Sequence, residues 1–171
     1  MILGKGFSVY LNGTLGSAKY CEGPGYPNGG LWVQDTPKNV ETAVLFWRHG
    51  DWDLGLVEKR VGTLYNDNGT LNYKINGASI PFPVDQVITI SPFNLVNLFV
   101  NYTIKNQSWM RGSKIGLAIN NLADSHNLVG VTPAVAATSA VLYAPNSGDL
   151  LNLLPGRSIM ATFTVGYAPR R

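Results

Sequence analysis

The chain has 171 residues, enough for one ordinary domain, yet 45% of them are hydrophobic and only 13% are charged, about half the roughly 25% charged share of soluble domains. A soluble surface ordinarily carries more charge than this. The net charge of +3 comes from 13 basic and 10 acidic residues with no basic run beyond Arg170-Arg171, which argues against nucleic acid as a partner, while a single cysteine, Cys21, excludes an internal disulfide framework and a cysteine-based zinc finger.

Helical spacing is nearly absent, and period-two segments recur between clusters of Gly, Pro, Asn and Asp, so the chain is predicted to be all-β. The first predicted strand, residues 3–15, sets Phe7, Val9 and Leu11 against Ser8, Tyr10 and Asn12. The second covers 39–48, after Thr36-Pro37-Lys38. The third, 52–65, contains Glu58-Lys59-Arg60 in succession, so one face must accept charge. A Lys or Arg costs about 2–4 kcal/mol at a bilayer midplane and little at the interface, so these charges are expected near a rim, or the strand's register is shifted. The fourth, 93–104, opposes Val96, Leu98, Val100, Tyr102 and Ile104 to Leu95, Asn97, Phe99, Asn101 and Thr103. In the fifth, 113–121, Ile115, Leu117 and Ile119 oppose Lys114, Gly116, Ala118 and Asn120. The sixth, 157–167, alternates most strictly: Ile159, Ala161, Phe163, Val165 and Tyr167 lie on one face, and Ser158, Met160, Thr162, Thr164 and Gly166 on the other.

The connections alternate in length. His49-Gly50-Asp51 and residues 105–112 are short, whereas 16–38, 67–92 and 122–156 are long and rich in Gly, Asn and Pro. Short turns at one end and long loops at the other describe an outer-membrane barrel, an antiparallel up-and-down meander with periplasmic turns and extracellular loops. Trp47 and Trp52 flank one short turn, Tyr102 and Trp109 lie at the other, and Tyr167 ends the last strand at the same level, as an interfacial aromatic girdle would. No stretch reaches the roughly 20 apolar residues of a transmembrane helix, and the N-terminal residues do not read as a secretory signal.

Six strands cannot close a transmembrane barrel, because an open edge in lipid leaves backbone groups without partners and such barrels have eight strands or more. The chain is therefore the C-terminal part of a larger barrel, one of several copies that assemble, or a different fold. Phe93-Asn94-Leu95-Val96-Asn97-Leu98-Phe99-Val100-Asn101-Tyr102, then Asn120-Asn121-Leu122-Ala123-Asp124 ending the next strand, then Pro155-Gly156-Arg157 opening the last, resemble the end of TonB-dependent outer-membrane receptors. Ala123 stands where that family usually has Phe, and Ala168-Pro169-Arg170-Arg171 extend past its usual terminal aromatic. The resemblance implies a 22-stranded barrel with an N-terminal plug, of which residues 1–171 would be the C-terminal barrel portion, without plug or N-terminal strands. It implies uptake of scarce small molecules, siderophore-like or other nutrients, in the outer membrane of a Gram-negative bacterium, with energy from TonB reaching the barrel through the missing plug. The partners are then outer-membrane lipid, the TonB system and a small-molecule ligand; the fragment alone is expected to be inactive.

No phosphate-binding loop, nucleophile elbow or paired catalytic carboxylates are present, so neither an enzyme nor a cofactor is expected. His49 and His126 are the only histidines and lack a second ligand cluster, so no metal site is expected. Tyr20, Tyr26, Trp32 and Tyr143 in the long loops could contact a ligand of unknown identity. The competing readings are a soluble secreted β-sandwich that binds carbohydrate or another ligand, and a small diffusion porin, which the strand count disfavours.

Overall fold

The computed structural model describes residues 2–22, 30–66, 70–75, 78–83, 88–105, 110–132, 134 and 141–166. Among the described residues there are fourteen strands and no helix: β1 (Ile2–Gly4), β2 (Phe7–Leu15), β3 (Asn39–His49), β4 (Trp52–Val61), β5 (Leu64–Asn66), β6 (Thr70–Ile75), β7 (Ala78–Pro83), β8 (Ile88–Ile90), β9 (Phe93–Thr103), β10 (Lys114–Asn120), β11 (Leu128–Thr132), β12 (Val141–Leu142), β13 (Leu150–Leu153) and β14 (Ser158–Thr164). Seven of them form one sheet in the order β1-β2-β3-β4-β9-β10-β14. Every pairing in it is antiparallel, so the predicted all-β, up-and-down meander is the observed architecture.

Two predicted strands are broken by backbone geometry. Residues 3–15 divide at Lys5 and Gly6, whose φ values of 46° and 85° are the successive positive pair of a two-residue type I′ hairpin turn. The turn folds β1 back on β2, pairing Ile2 with Ser8 and Gly4 with Phe7. A Cβ on Gly6 would lie 1.9 Å from the Arg48 carbonyl oxygen, so only glycine fits there. The strand predicted over 52–65 stops at Val61; the next residue, Gly62, donates its N–H to the Asn39 carbonyl at 2.8 Å, and a Cβ there would lie 2.0 Å from Asn39 Oδ1, so only glycine fits. Leu64–Asn66 then joins a separate three-stranded sheet, β12-β8-β5.

The short connections therefore number three at one end of the sheet: Lys5-Gly6, Gly50-Asp51 and 104–113. Gly50, with φ of 58°, takes the first central position of the second turn, where a II′ hairpin needs a glycine. The third is closed by Ile104 N–H donating to the Ser113 carbonyl at 2.9 Å and Gly112 N–H to the Ile104 carbonyl at 2.8 Å. The long connections at the other end hold their own small sheets, β5-β8-β12, β6-β7 and β11-β13.

The hydrophobic core lies with these loop strands and not on the large sheet. Leu64, Ile88, Ile90 and Val131 are buried together, with Val61, Phe93, Leu128 and Tyr143 packed around them. Val61 and Phe93, paired at the loop ends of β4 and β9, tie this core to the meander. Among the described residues, Val44 is the one buried large apolar side chain on β2, β3, β4, β9, β10 and β14.

Candidate functional site

Register converts the alternation of single strands into continuous rows. Nearest the short turns, His49, Trp52, Tyr102, Ile115 and Phe163 lie side by side. The next row on the same face is Phe7, Trp47, Leu54, Val100, Leu117 and Ala161, and the one after it is Val9, Leu45, Leu56, Leu98, Ile119 and Ile159. The first row crosses five strands and the next two, unbroken and apolar, cross six; nothing described covers them, with Ile159 66% and Phe163 55% exposed.

The face changes character towards the long loops. Leu11, Ala43, Glu58 and Val96 form the fourth row, and Gly13, Glu41, Arg60 and Asn94 the fifth. The register through the Glu58-Lys59-Arg60 run is unshifted: Glu58 and Arg60 stand at the loop-side margin of the apolar face, while Lys59 lies on the other face beside Thr42 and Leu95. On that opposite face, Arg48, Asp53, Asn101, Gly116 and Thr162 make a polar row, with an Arg48–Asp53 ion pair of 2.5 Å. Beside it, Phe46 lies over Gly55, where a Cβ would be 3.1 Å from the Phe46 ring.

Three of the five proposed girdle residues are brought to one face in two adjacent rows, Trp52 and Tyr102 nearest the short turns and Trp47 in the next. Trp52 and Tyr102 are paired across strands with ring centroids 4.8 Å apart, and Trp47 stacks on His49 at 5.7 Å and contacts Phe7 at 6.1 Å. Trp109 and Tyr167 lie outside the described residues. Phe7, His49 and Phe163 join the aromatic level without having been singled out. Their signal was positional: each becomes a neighbour of Trp or Tyr only once strand register is known.

At the long-loop end, the residues of the Asn-Asn-Leu and Pro-Gly-Arg motifs converge in one polar clasp. Asn121, 3% exposed and with φ of 51°, donates from Nδ2 to the carbonyls of Ser125 at 2.8 Å and Pro155 at 3.0 Å. Its Oδ1 accepts from Ser125 N–H at 3.0 Å, and its own N–H donates to Asn97 Oδ1 at 2.9 Å. Leu122 N–H donates to the Val96 carbonyl at 2.7 Å. Asp124 Oδ1 accepts from Arg157 N–H at 2.7 Å, and Asn120 Nδ2 donates to Ser158 Oγ at 3.2 Å. Gly156 sits so close that an added Cβ would lie 3.2 Å from Asp124 Oδ1 and 3.3 Å from His126 Nε2. The Arg157 N–H bond, helped by the nearby His126 and Arg157 charges against some desolvation, holds the Asp124 carboxyl below its ordinary value. Ser125 belongs to the clasp but carried no sequence signal, and Asn97 was read only within the fourth strand's motif, because each acts only through a partner brought near by folding.

The clasp fastens the start of β14 to the end of β10. A second fastening lies at the turn end, where Gly166 N–H donates to the Oγ of fully buried Ser113 at 3.0 Å. The loop aromatics are largely committed to structure: Trp32 is buried and donates from Nε1 to the Thr36 carbonyl at 2.7 Å, and Tyr143 donates to Asp149 Oδ2 at 2.7 Å. Tyr20 is exposed, and Tyr26 lies outside the described residues.

The class that fold and face define is an all-β antiparallel meander with one broad apolar face uncovered. No protein-family model, curated protein or solved structure matches the chain.

Proposed function

We propose that this chain is a non-enzymatic wall segment of a transmembrane β-barrel in a Gram-negative outer membrane, from a transporter of the TonB-dependent kind that takes up scarce small molecules. The observation that carries the reading is the uncovered apolar face, continuous over six strands. A compact soluble monomer of 18.5 kDa exposes about 8,200 Å², whereas this chain exposes 11500 Å². The opposite face contributes to that excess too, with Tyr10, Phe46 and Met160 about half exposed, but an apolar strand face turned outward is what a bilayer wets. Sorting of short turns and long loops to opposite ends, and the Trp47, Trp52 and Tyr102 level at the short-turn end, give the segment a direction, long loops outward. The motif residues Asn120, Asn121, Leu122, Asp124, Pro155, Gly156 and Arg157 support the TonB-dependent assignment through their resemblance to that family's final strands. On this reading the TonB system acts through a plug outside this chain.

A second reading, a secreted β-sandwich that binds carbohydrate or another ligand, is favoured by one dimension. From the Trp52 row to the Glu58 row the apolar band runs about 20 Å along the strands at about 3.4 Å per residue, short of the band of about 25 Å in outer-membrane barrels. A second sheet would cover such a face equally well. Purification separates the two. The membrane reading predicts that the full chain requires detergent to stay dispersed; a chain that remains monomeric at high concentration in plain buffer, with a cooperative melt, belongs to the sandwich.

A further inference from the structure

The large sheet ends in two open edges. On β2, residues 10–15 run on beyond β1, which sits against Phe7 and Ser8; on β14, nothing described pairs with the side away from β10. Hydrogen-bond alternation fixes which backbone groups are open. Gly4 and Phe7 flank a two-residue turn, so Phe7 turns its N–H and C=O towards the outer side of β2, and the period of two turns those of Leu11, Gly13 and Leu15 the same way. Ile104 N–H donates to the Ser113 carbonyl at 2.9 Å, so Lys114, Gly116 and Ala118 are the β10 residues that bond to β14, which leaves Ile159, Ala161 and Phe163 turned outwards. Both open sets belong to the face that carries the apolar rows. Neither edge has a charge or a proline over residues 7–15 or 158–165, the devices that keep exposed edges from pairing.

We propose that β14 pairs antiparallel with β2 of a second copy of this chain, Phe163 against Leu11, Ala161 against Gly13 and Ile159 against Leu15. The inference rests on the barrel reading, in which an edge left open in lipid strands its backbone groups, and goes beyond it by naming what covers the edges of the 171-residue chain; flanking strands of a longer chain would take the same two places. Because β2 and β14 run in opposite directions, the copies meet antiparallel with their apolar faces on one side. In this register residues 10–15 lie along 159–164 in full, and each of the three pairs exchanges two hydrogen bonds. Leu11 is 73% exposed, Leu15 85%, Ile159 66% and Phe163 55%, so the large side chains left bare on one edge cover those on the other. The stagger also fits. The row that starts at Phe7 reaches β14 at Ala161, so its continuation at Gly13 of the next copy advances six residues over six strands. One residue per strand, about 3.4 Å along against about 4.8 Å across, is a tilt of about 35°, within the range of about 35–45° at which sheets close into barrels. Copies joined in this way close a ring, and two of them exceed the roughly eight strands of the smallest membrane barrels.

The test uses the full chain in micelles of a non-ionic detergent, with Cys21→Ser as background. Native mass spectrometry should find one discrete multiple of the 18.5 kDa chain, a dimer or larger. Copies carrying Gly13→Cys, where an added Cβ meets nothing within 4 Å, mixed with copies carrying Ala161→Cys should form an intermolecular disulfide on oxidation, since a hydrogen-bonded antiparallel pair holds its Cα atoms about 5.5 Å apart. Leu11→Cys mixed with Ile159→Cys, four residues out of register, should yield at least about tenfold less. Ala161→Pro removes an N–H that only the second copy uses, which an edge strand tolerates, and should give a single chain with unchanged circular dichroism. Equal cross-linking of the two mixtures, an open-ended series of multiples, a multimer retained by Ala161→Pro, or a disulfide within one chain carrying both Gly13→Cys and Ala161→Cys overturns the inference. If the wild-type chain needs detergent but is monomeric in it, this inference alone fails; if it needs no detergent, the membrane reading fails and the cross-linking still decides the pairing.

Discussion

Asn121 is the residue on which most of the long-loop clasp depends. It is buried, adopts a left-handed backbone that asparagine tolerates better than most residues, and joins Asn97, Ser125 and Pro155 through four hydrogen bonds. Asn121→Ala removes three side-chain bonds and leaves two carbonyls and an amide short of partners, at a cost of about 2–4 kcal/mol. Asp124→Asn keeps an oxygen to accept from Arg157 N–H, so its effect should be well under half of that; urea midpoints in detergent micelles compare the two. The Asp124 carboxyl is held below its ordinary value of 3.8, chiefly by that backbone bond. A lowered folded value means a contribution to stability that is fully present above about pH 4 and is lost as pH falls through the folded value. Wild-type protein should therefore lose stability below pH 4, and Asp124→Asn should flatten that part of the profile.

At the scale of the element, alternation within β9, β10 and β14 was legible before folding, because period two fixes which side chains share a face whatever the partner strand. Val96, Leu98, Val100 and Tyr102 do lie on the face read from their spacing, and so do Ile115, Leu117 and Ile119. The hairpin inside residues 3–15 was not legible, since Leu3, Lys5 and Phe7 keep the alternation going through a turn set by the φ values of Lys5 and Gly6. The loop strands β5, β8 and β12 escaped notice for another reason. They are two or three residues long, and β5 and β8 pack Leu64, Ile88 and Ile90 into a core with Val131 that local spacing does not encode. The clasp was legible as a set of motif residues but not as a hydrogen-bonded unit, because Asn97 and Ser125 enter only through tertiary contact. The apolar rows supply a test at this scale. Leu56 stands in the third row and is exposed, so Leu56→Lys on a soluble protein would change stability by no more than about 0.5 kcal/mol. In a bilayer the same substitution costs about 2–4 kcal/mol, and insertion into vesicles, scored by protection from added protease, should fall sharply.

At the scale of the whole molecule, the meander has a defined pair of ends. Five successive antiparallel pairings separate β2 from β14, so the two run in opposite directions. A closed barrel that includes them therefore needs either an even number of further antiparallel strands between β14 and β2 or direct pairing of β14 with β2 of another copy. β1 occupies the outer edge of β2 only at Phe7 and Ser8, leaving the remainder of that edge open to a partner strand. On the membrane reading, the Phe7 to Ile159 rows lie on the outside of the curved wall and the Arg48–Asp53 row on its inside. The central claim is that this outer face meets lipid, with Trp47 and Trp52 at the bilayer surface. It is tested most directly by the fluorescence of the full chain carrying Trp32→Phe and Trp109→Phe, reconstituted in vesicles whose lipids bear bromine either near the headgroup or near the chain ends. The account predicts blue-shifted emission, quenched strongly by the shallow bromines and weakly by the deep ones. Emission that neither lipid quenches, from a chain recovered in the aqueous phase, would contradict it.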